Sequence, residues 1–130
     1  QEGSTYVYEH TNVLPRAFFV QNTVHITNPE ERIAFLSSGN YNVTAVVEES
    51  LEKTAFSTGS ATVESYSSNE IIIKTTNSDD GFLVILDTYY PSWRAYVDGK
   101  ETKIFKTNHT FRGIVVPKGN HTVQLKDTLL

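Results

Sequence analysis

The chain contains no cysteine and no methionine among its 130 residues. Without cysteine, neither a disulfide framework nor a thiolate metal site can form. Basic residues are scattered and the formal charge is -4, which argues against nucleic acid as a partner. No apolar run approaches the length of a membrane span. Because the sequence starts at Gln1 and lacks methionine, we expect it to be a piece of a longer protein.

What is present is typical of a β domain. The length favours a single domain over residues 1–130, with a core that needs no cross-links. Strand-like segments recur roughly every 8–12 residues with turn-forming residues between them, as in sandwiches and barrels. We therefore predict a mainly β fold, a two-sheet antiparallel β-sandwich (jelly-roll-like), with one short helix near 29–38. Predicted strands outside the central stretch are 5–9, 17–20, 23–27, 43–48, 61–66 and 70–76, and 51–59 is predicted to be a polar loop.

The rest of the chain is organised around residues 81–126. Residues 82–86 (FLVIL) are apolar at every position, which predicts a central strand buried on both faces. Pro91 fixes its φ angle and has no N–H to donate, so it interrupts the sheet before the next strand at 93–97. Alternation along that strand places Trp93 on the same face as Ala95 and Val97.

Asp98-Gly99 is the strongest turn signal in the chain. A type I′ hairpin turn needs positive φ at both central residues, and Asp-Gly meets that need. Gly99 is therefore predicted to be structural, like Pro91. The return strand is predicted at about 101–105, followed by a strand at 111–116 and an alternating last strand.

One segment has the signals of a helix. Asn28 can cap the N-terminus, Pro29 suits the first helical position, and Glu31 follows three residues after the cap. Gly39 suits the C-terminal cap. The predicted apolar stripe consists of Ile33, Phe35 and Leu36.

No motif in the sequence indicates catalysis. The histidines show no pair at metal-ligand spacing, so surface positions are the simpler interpretation for His10, His25, His109 and His121. The acidic residues Glu48, Glu49 and Glu52 form a patch that a solvated face explains. Carboxylate pairs for glycoside hydrolysis are distant in sequence, and nothing in the sequence positively indicates such a pair. We predict no catalytic residue, no metal site and no cofactor.

Two other groups of residues admit a functional and a structural interpretation. Tyr89, Tyr90, Trp93 and Tyr96 crowd one turn, where exposed rings could stack on a sugar and buried rings would simply pack. Because Trp93 shares its face of the strand with Ala95 and Val97, the core is the favoured position for this residue.

Arg16 and Arg112 interrupt apolar segments. A buried arginine needs a carboxylate or carbonyl partner. A structural role tying strands or termini together is the simpler interpretation for both.

Three segments resemble the YfhO family of bacterial membrane proteins. They are residues 14–20 (LPRAFFV), 87–100 (DTYYPSWRAYVDGK) and 111–123 (FRGIVVPKGNHTV). The order and spacing of these segments agree with the family across nearly the whole chain. Two departures occur: Ser92 stands where the family usually has glycine, and the family's Tyr-x-Pro after the last strand is absent.

The resemblance implies a parent of the large lipid-linked-sugar glycosyltransferase type, with transmembrane helices before a soluble extracytoplasmic region. Some members are linked to glycosylation of cell-wall polymers such as lipoteichoic acid. The chain would then be a non-catalytic extracytoplasmic domain, monomeric in isolation. It would position a cell-wall glycopolymer, a lipid-linked sugar or the transmembrane part of the same protein. The alternative is a carbohydrate-binding module with its own sugar site at Tyr89, Tyr90, Trp93 and Tyr96, and a freestanding hydrolase is a third option.

Overall fold

A computed structural model describes residues 16–39 and 42–129 of the chain. These residues form eleven strands and one helix. The strands are β1 (Ala17–Val20), β2 (Asn22–His25), β3 (Thr44–Val47), β4 (Ser60–Tyr66), β5 (Glu70–Asn77), β6 (Gly81–Ile85), β7 (Trp93–Val97), β8 (Lys100–Thr102), β9 (Phe105–Thr107), β10 (Phe111–Val116) and β11 (Gly119–Asp127); the helix is α1 (Pro29–Ser37). The predicted strand at 5–9 lies outside the described residues.

The strands form two sheets, and the predicted mainly β, two-sheet architecture is confirmed. One sheet has six strands in the order β1-β6-β10-β9-β3-β2, and the other has five in the order β4-β5-β11-β7-β8. The pairs are antiparallel except β2 with β3, which run parallel. Parallel neighbours need a crossover connection, and α1 lies within the one that joins β2 to β3.

The main core contains side chains from both sheets. The six-stranded sheet contributes Phe19, Leu83, Ile85, Ile114 and Val116, and the five-stranded sheet contributes Ile71, Ile73, Trp93, Ala95, Val123 and Leu125. A second apolar cluster contains the alternate residues of the six-stranded sheet, including Phe82 and Val84. Both faces of that sheet are therefore buried.

This double burial explains the composition of β6. Leu83 and Ile85 belong to the main core, and Phe82 and Val84 belong to the second cluster. The prediction from the apolar run at 82–86 is thus confirmed. The polar loop predicted at 51–59 has a packing role that its composition hides, because its two large apolar side chains, Leu51 and Phe56, pack against the second cluster.

The helix starts as predicted but packs differently. Asn28 caps it by accepting hydrogen bonds from the backbone N–H groups of Glu30 and Glu31, and Gly39 follows the C-cap with a φ of 88°. The predicted apolar stripe is wrong in part, since Ile33 is 52% exposed. The buried helical residue is Arg32, whose Nη1 donates to the carbonyl oxygens of Ile26 and Thr27.

The Asp98-Gly99 hairpin joins β7 to β8 as predicted. Asp98 has a φ of 52° and Gly99 a φ of 85°, which are the positive values that a type I′ turn requires. The single return strand predicted at 101–105 is wrong. β8 ends at Thr102 in the five-stranded sheet, and the chain then crosses to the other sheet, where β9 begins at Phe105.

Candidate functional site

The connection between β6 and β7, residues 86–92, carries the predicted site residues Tyr89, Tyr90 and Pro91. It is held by backbone hydrogen bonds from Leu86 N to Arg16 O and from Tyr89 N to Thr110 O, each 2.8 Å long. A tight turn follows, in which Trp93 N donates to Tyr90 O at 3.2 Å. Ser92 is not among the described residues with positive φ, so its side chain is compatible with this turn.

The turn divides the four predicted aromatic residues among different surroundings. Trp93 is 8% exposed and belongs to the main core, as its parity indicated. Tyr89 and Trp93 line one cleft, and Tyr90 and Trp93 line another. Tyr96 points from the opposite face of β7 and lines neither of them. The four rings therefore do not form one continuous stacking surface.

We call the first cavity the Tyr89 cleft. It has a volume of about 550 Å³ and is lined by Tyr89, Pro91, Trp93, Arg94, Glu101, Thr102, Lys103 and Ile104. Within it, Arg94 Nη1 donates to the Pro91 carbonyl oxygen at 3.1 Å, and Arg94 Nε lies 3.5 Å from Glu101 Oε2. These contacts fix Arg94 across the turn.

We call the second cavity the Arg112 pocket. It has a volume of about 280 Å³ and is lined by Tyr66, Ser67, Ser68, Ile71, Asp87, Thr88, Tyr90, Trp93, Arg112 and Asp127. Strands of both sheets contribute to it, and Tyr66, Trp93 and Asp127 are terminal residues of their strands, so the pocket lies at one end of the sandwich.

Arg112 is the buried member of the two arginines singled out in the sequence. It is 3% exposed, its Nε donates to the Thr88 carbonyl oxygen at 2.9 Å, and its guanidinium carbon lies 4.0 Å from the centroid of the Trp93 ring. Burial lowers the pKa of Arg112, and the nearby carboxylate of Asp87 acts in the opposite direction. The charged side chain is thus held by a carbonyl and an aromatic face.

Arg16 lies closer to the surface and contacts Asp87 and Tyr66, which also line the Arg112 pocket. Its side chain is 42% exposed, and its Nη1 lies 2.7 Å from Asp87 Oδ1. Its guanidinium carbon lies 4.0 Å from the centroid of the Tyr66 ring, and the Tyr66 hydroxyl donates to Asp87 Oδ1 at 3.2 Å. Arg16 therefore ties the start of β1 to residues next to β4 and β6.

A histidine near the start of β11 is hydrogen-bonded to the turn between β7 and β8. His121 Nδ1 lies 2.5 Å from Asp98 Oδ2, and His121 Nε2 lies 2.9 Å from the Lys118 carbonyl oxygen. Since both partners are acceptors, both ring nitrogens donate in the imidazolium form. The Asp98 hydrogen bond raises the pKa of His121 above its ordinary 6.5. The Thr122 N–H and then His121 lower the pKa of Asp98.

The other candidate groups do not converge. His25 is exposed, His109 lies in a turn with a φ of 76°, and His10 is outside the described residues. Glu48 lies 3.6 Å from Arg32 Nε, and Glu49 lies 2.5 Å from Lys103 Nζ, so the acidic patch is partly neutralised. Within residues 16–39 and 42–129, no group of three or more His, Cys, Asp or Glu side chains is placed to hold a metal ion.

Of the residues that line the Arg112 pocket, sequence reasoning singled out only Tyr90, Trp93 and Arg112, and it missed Tyr66 and Asp87 among others. In the sequence, Asp87 stands out only as part of a longer motif, and Tyr66 only as the end of a strand. Arg16 and Asp87 are 71 residues apart, and they meet because β1 pairs with β6 in the register Ala17 to Ile85. An arginine just before one strand and an aspartate just after another is the only sequence signal for this pair.

The comparisons with known proteins give one family. Residues 25–126, most of the chain, match the family described as bacterial membrane protein YfhO. No curated protein and no solved structure matches the chain. No helix in the described part of the chain has the length and apolar character needed to cross a membrane.

Proposed function

The chain belongs to the YfhO family of bacterial membrane proteins, and we propose that it is a non-catalytic extracytoplasmic domain of such a protein. In this role it positions a substrate or partner for the membrane-embedded part, which transfers sugar to a cell-wall polymer such as lipoteichoic acid. The partners are a wall glycopolymer or a lipid-linked sugar, together with the transmembrane part of the same protein.

The observation that carries the non-catalytic assignment is the ion pairing of three carboxylates, of which Glu101 lines the Tyr89 cleft and Asp87 lines the Arg112 pocket. The pairs are Glu101 with Arg94 (3.5 Å), Glu49 with Lys103 (2.5 Å) and Asp87 with Arg16 (2.7 Å). A glycosidase acid needs a raised pKa, which apolar surroundings or a second carboxylate provide. Each of these three carboxylates has a basic side chain as its neighbour instead. The arrangement supports a domain that binds or positions its ligand.

A second candidate is a carbohydrate-binding module with its own sugar site. The observation in its favour is Tyr90, which is 56% exposed beside a polar pocket. Exposed tyrosines with a polar tip are suited to contacts that are apolar on one side and wet on the other. In this case the domain recognises a glycan by itself, without help from the membrane-embedded part.

The extracytoplasmic placement can be tested in the full-length parent protein. The chain lacks cysteine, so Thr58→Cys at an exposed loop position adds a single thiol to a parent whose other cysteines are replaced. A membrane-impermeant maleimide should label this thiol equally in intact and in permeabilised cells. Labelling only after permeabilisation would place the domain in the cytoplasm and contradict the proposal.

The positioning role can be tested by deleting residues 16–129 from the parent. We expect the membrane part to accumulate while the sugar content of the wall polymer falls, as measured by NMR of the purified polymer. The purified chain should show no turnover of glycosides or lipid-linked sugars. Turnover that is lost in Glu101→Gln and kept in Glu64→Gln, an exposed carboxylate on β4, would overturn the non-catalytic assignment.

A further inference from the structure

The Arg112 pocket contains polar atoms that the described protein leaves without partners. Arg112 uses its Nε for the Thr88 carbonyl oxygen, and its buried Nη1 has no hydrogen-bond partner. Asp87 uses Oδ1 for Arg16 and Tyr66, and its buried Oδ2 also lacks a partner. Most buried polar atoms in proteins are paired, so an unpaired donor and an unpaired acceptor on two residues that line one pocket are candidate contacts for a ligand.

The chemistry of these two atoms indicates the kind of group that would satisfy them. Arg112 can only donate, and an ionised Asp87 can only accept. A hydroxyl group both donates and accepts, so neighbouring hydroxyl groups on one ring can accept a hydrogen bond from Arg112 and donate one to Asp87. The volume of about 280 Å³ exceeds the ~30 Å³ that one water occupies in the liquid. It lies near the lower end of the roughly 300–1,000 Å³ seen for small-molecule sites.

The walls of the pocket favour a ring with an apolar face. Tyr66 is 51% exposed and Tyr90 is 56% exposed, and both line the pocket. The Tyr66 ring is held in place on one side by Arg16 and at its hydroxyl by Asp87. Trp93, with its ring against Arg112, adds a third aromatic residue to a lining that is otherwise mostly polar. A polar pocket with aromatic rings suits a ligand that is rich in hydroxyl groups and has an apolar ring face.

The charges around the pocket distinguish a neutral ligand from an anion. Asp87 and Asp127 line it together with Arg112, so the carboxylates outnumber the guanidinium. Arg16 is already committed to Asp87 at 2.7 Å. A phosphate or a uronic acid would therefore face two like charges, whereas a neutral sugar would not.

We propose that the Arg112 pocket binds one neutral sugar residue of a glycan, with Asp87 and Arg112 bound to its hydroxyl groups and Tyr66 and Tyr90 against its ring. This inference rests on the proposed role in glycan positioning, for which it names the ligand class and the site. The pocket differs from the predicted four-ring site because it includes Tyr66, Asp87 and Arg112 and leaves out Tyr89 and Tyr96.

The test uses the fluorescence of Trp93, which is the only tryptophan in the chain and lines the pocket. The purified 130-residue chain is titrated with methyl glucopyranosides, methyl galactopyranosides and N-acetylglucosamine, and separately with inorganic phosphate. We expect a saturable change with at least one glycoside. Tyr90→Ala and Asp87→Asn should each weaken binding about tenfold or more, as the loss of one good contact does.

Tyr96→Ala is the matched control, because Tyr96 lines neither the Tyr89 cleft nor the Arg112 pocket. The affinity of this variant for the glycoside should stay within about twofold of that of the unmodified chain. Circular dichroism checks that each variant is folded. If Asp87→Asn unfolds, the Tyr90→Ala variant still tests the proposal, because Tyr90 is exposed and its replacement should leave the fold intact. The proposal is overturned if no glycoside gives a saturable change, if Tyr90→Ala binds like the unmodified chain, or if phosphate binds better than the glycosides.

This outcome can be separated from that of the proposed function. If the parent needs the domain for polymer glycosylation and the purified chain binds no glycoside, the pocket is rejected and the positioning role stands. If the chain binds glycosides and deleting it from the parent has no effect, the pocket stands and the positioning role is rejected.

Discussion

Replacing Arg112 by alanine should lower the free energy of unfolding by about 2–3 kcal/mol. A hydrogen bond from a charged donor contributes about 1.5–3 kcal/mol, and a desolvated cation–π contact about 2 kcal/mol. Arg112 makes one of each, to the Thr88 carbonyl oxygen at 2.9 Å and to the Trp93 ring at 4.0 Å. The cost of burying the charge, which also lowers the pKa of Arg112, offsets part of this sum.

Arg16→Ala provides a matched comparison. Arg16 also makes one polar and one aromatic contact, with the Asp87 carboxylate at 2.7 Å and the Tyr66 ring at 4.0 Å, but its side chain is 42% exposed. Solvent screens such a pair, so we expect a loss of about 1 kcal/mol or less. The two sites differ in burial and in the polar partner, which is a carboxylate for Arg16 and a neutral carbonyl for Arg112. A larger loss for Arg112→Ala would therefore mean that burial outweighs the charge of the Arg16 partner.

Urea denaturation followed by circular dichroism measures both variants. With a slope of about 1–3 kcal/mol per molar urea, the Arg112→Ala midpoint should fall by about 1–2 M and the Arg16→Ala midpoint by clearly less. Arg112→Lys keeps the charge but loses the planar fork, so it should recover only part of the loss. Equal midpoints for the two alanine variants, or a larger loss for Arg16→Ala, would refute the reasoning from burial.

Three further predictions concern turns and packing. Gly99→Val should destabilise the domain by about 1–3 kcal/mol, because a β-branched residue is strained at a φ of 85°; an unchanged urea midpoint would show that this turn tolerates a side chain. Gly113→Ala should cost about 1–3 kcal/mol, because the new Cβ would overlap the buried Phe82 ring, and a thermal scan showing no loss would mean that the ring moves aside easily. The raised pKa of His121 adds stability that is complete below about pH 6.5 and is lost as the pH rises through the pKa of the folded state. The lowered pKa of Asp98 acts in the other direction, because the stability it adds is lost as the pH falls through the folded-state pKa of Asp98. Unfolding curves at several pH values should therefore show a steeper alkaline loss in the unmodified chain than in His121→Gln, and parallel profiles would exclude this hydrogen bond as the cause.

The features that the sequence predicted correctly depend on near neighbours. Asn28 bonds to residues two and three positions ahead, and Asp98-Gly99 meets a requirement of the turn itself. The apolar run at 82–86 needs only the rule that a strand without polar residues is covered on both faces. Each of these signals lies within a few residues, so no knowledge of the tertiary structure was needed.

The incorrect predictions concern contacts between distant elements. The segment 101–105 reads as one extended strand, because a chain that crosses between sheets stays nearly extended while it changes partners. On the helix, apolar periodicity favoured Ile33, yet the described structure buries Arg32 against the carbonyl groups that precede the helix. Period arguments assume that the buried face is apolar, and a well-paired arginine violates that assumption.

The same limit applies to the candidate site. Tyr89, Tyr90, Trp93 and Tyr96 are close in sequence, which suggested one surface, but strand alternation and the turn direct them to different surroundings. The residues of the Arg112 pocket are far apart in sequence instead. Only the pairing of β1 and β10 with β6 brings Arg16, Asp87 and Arg112 together.

This pairing also gives a physical meaning to the segments that resemble the family. Arg16 comes from the first segment, Asp87 and Trp93 come from the second, and Arg112 comes from the third. They meet through the 2.7 Å ion pair of Arg16 with Asp87 and the 4.0 Å contact of Arg112 with Trp93. The three segments that resemble the family therefore each contribute a residue to one cluster at one end of the sandwich. A purely structural ion-pair cluster and a ligand site would use the same side chains, so a measurement of stability does not distinguish these two roles. Tyr90→Ala can, since Tyr90 is 56% exposed at the rim of the pocket, and its loss should weaken glycoside binding while the urea midpoint stays unchanged.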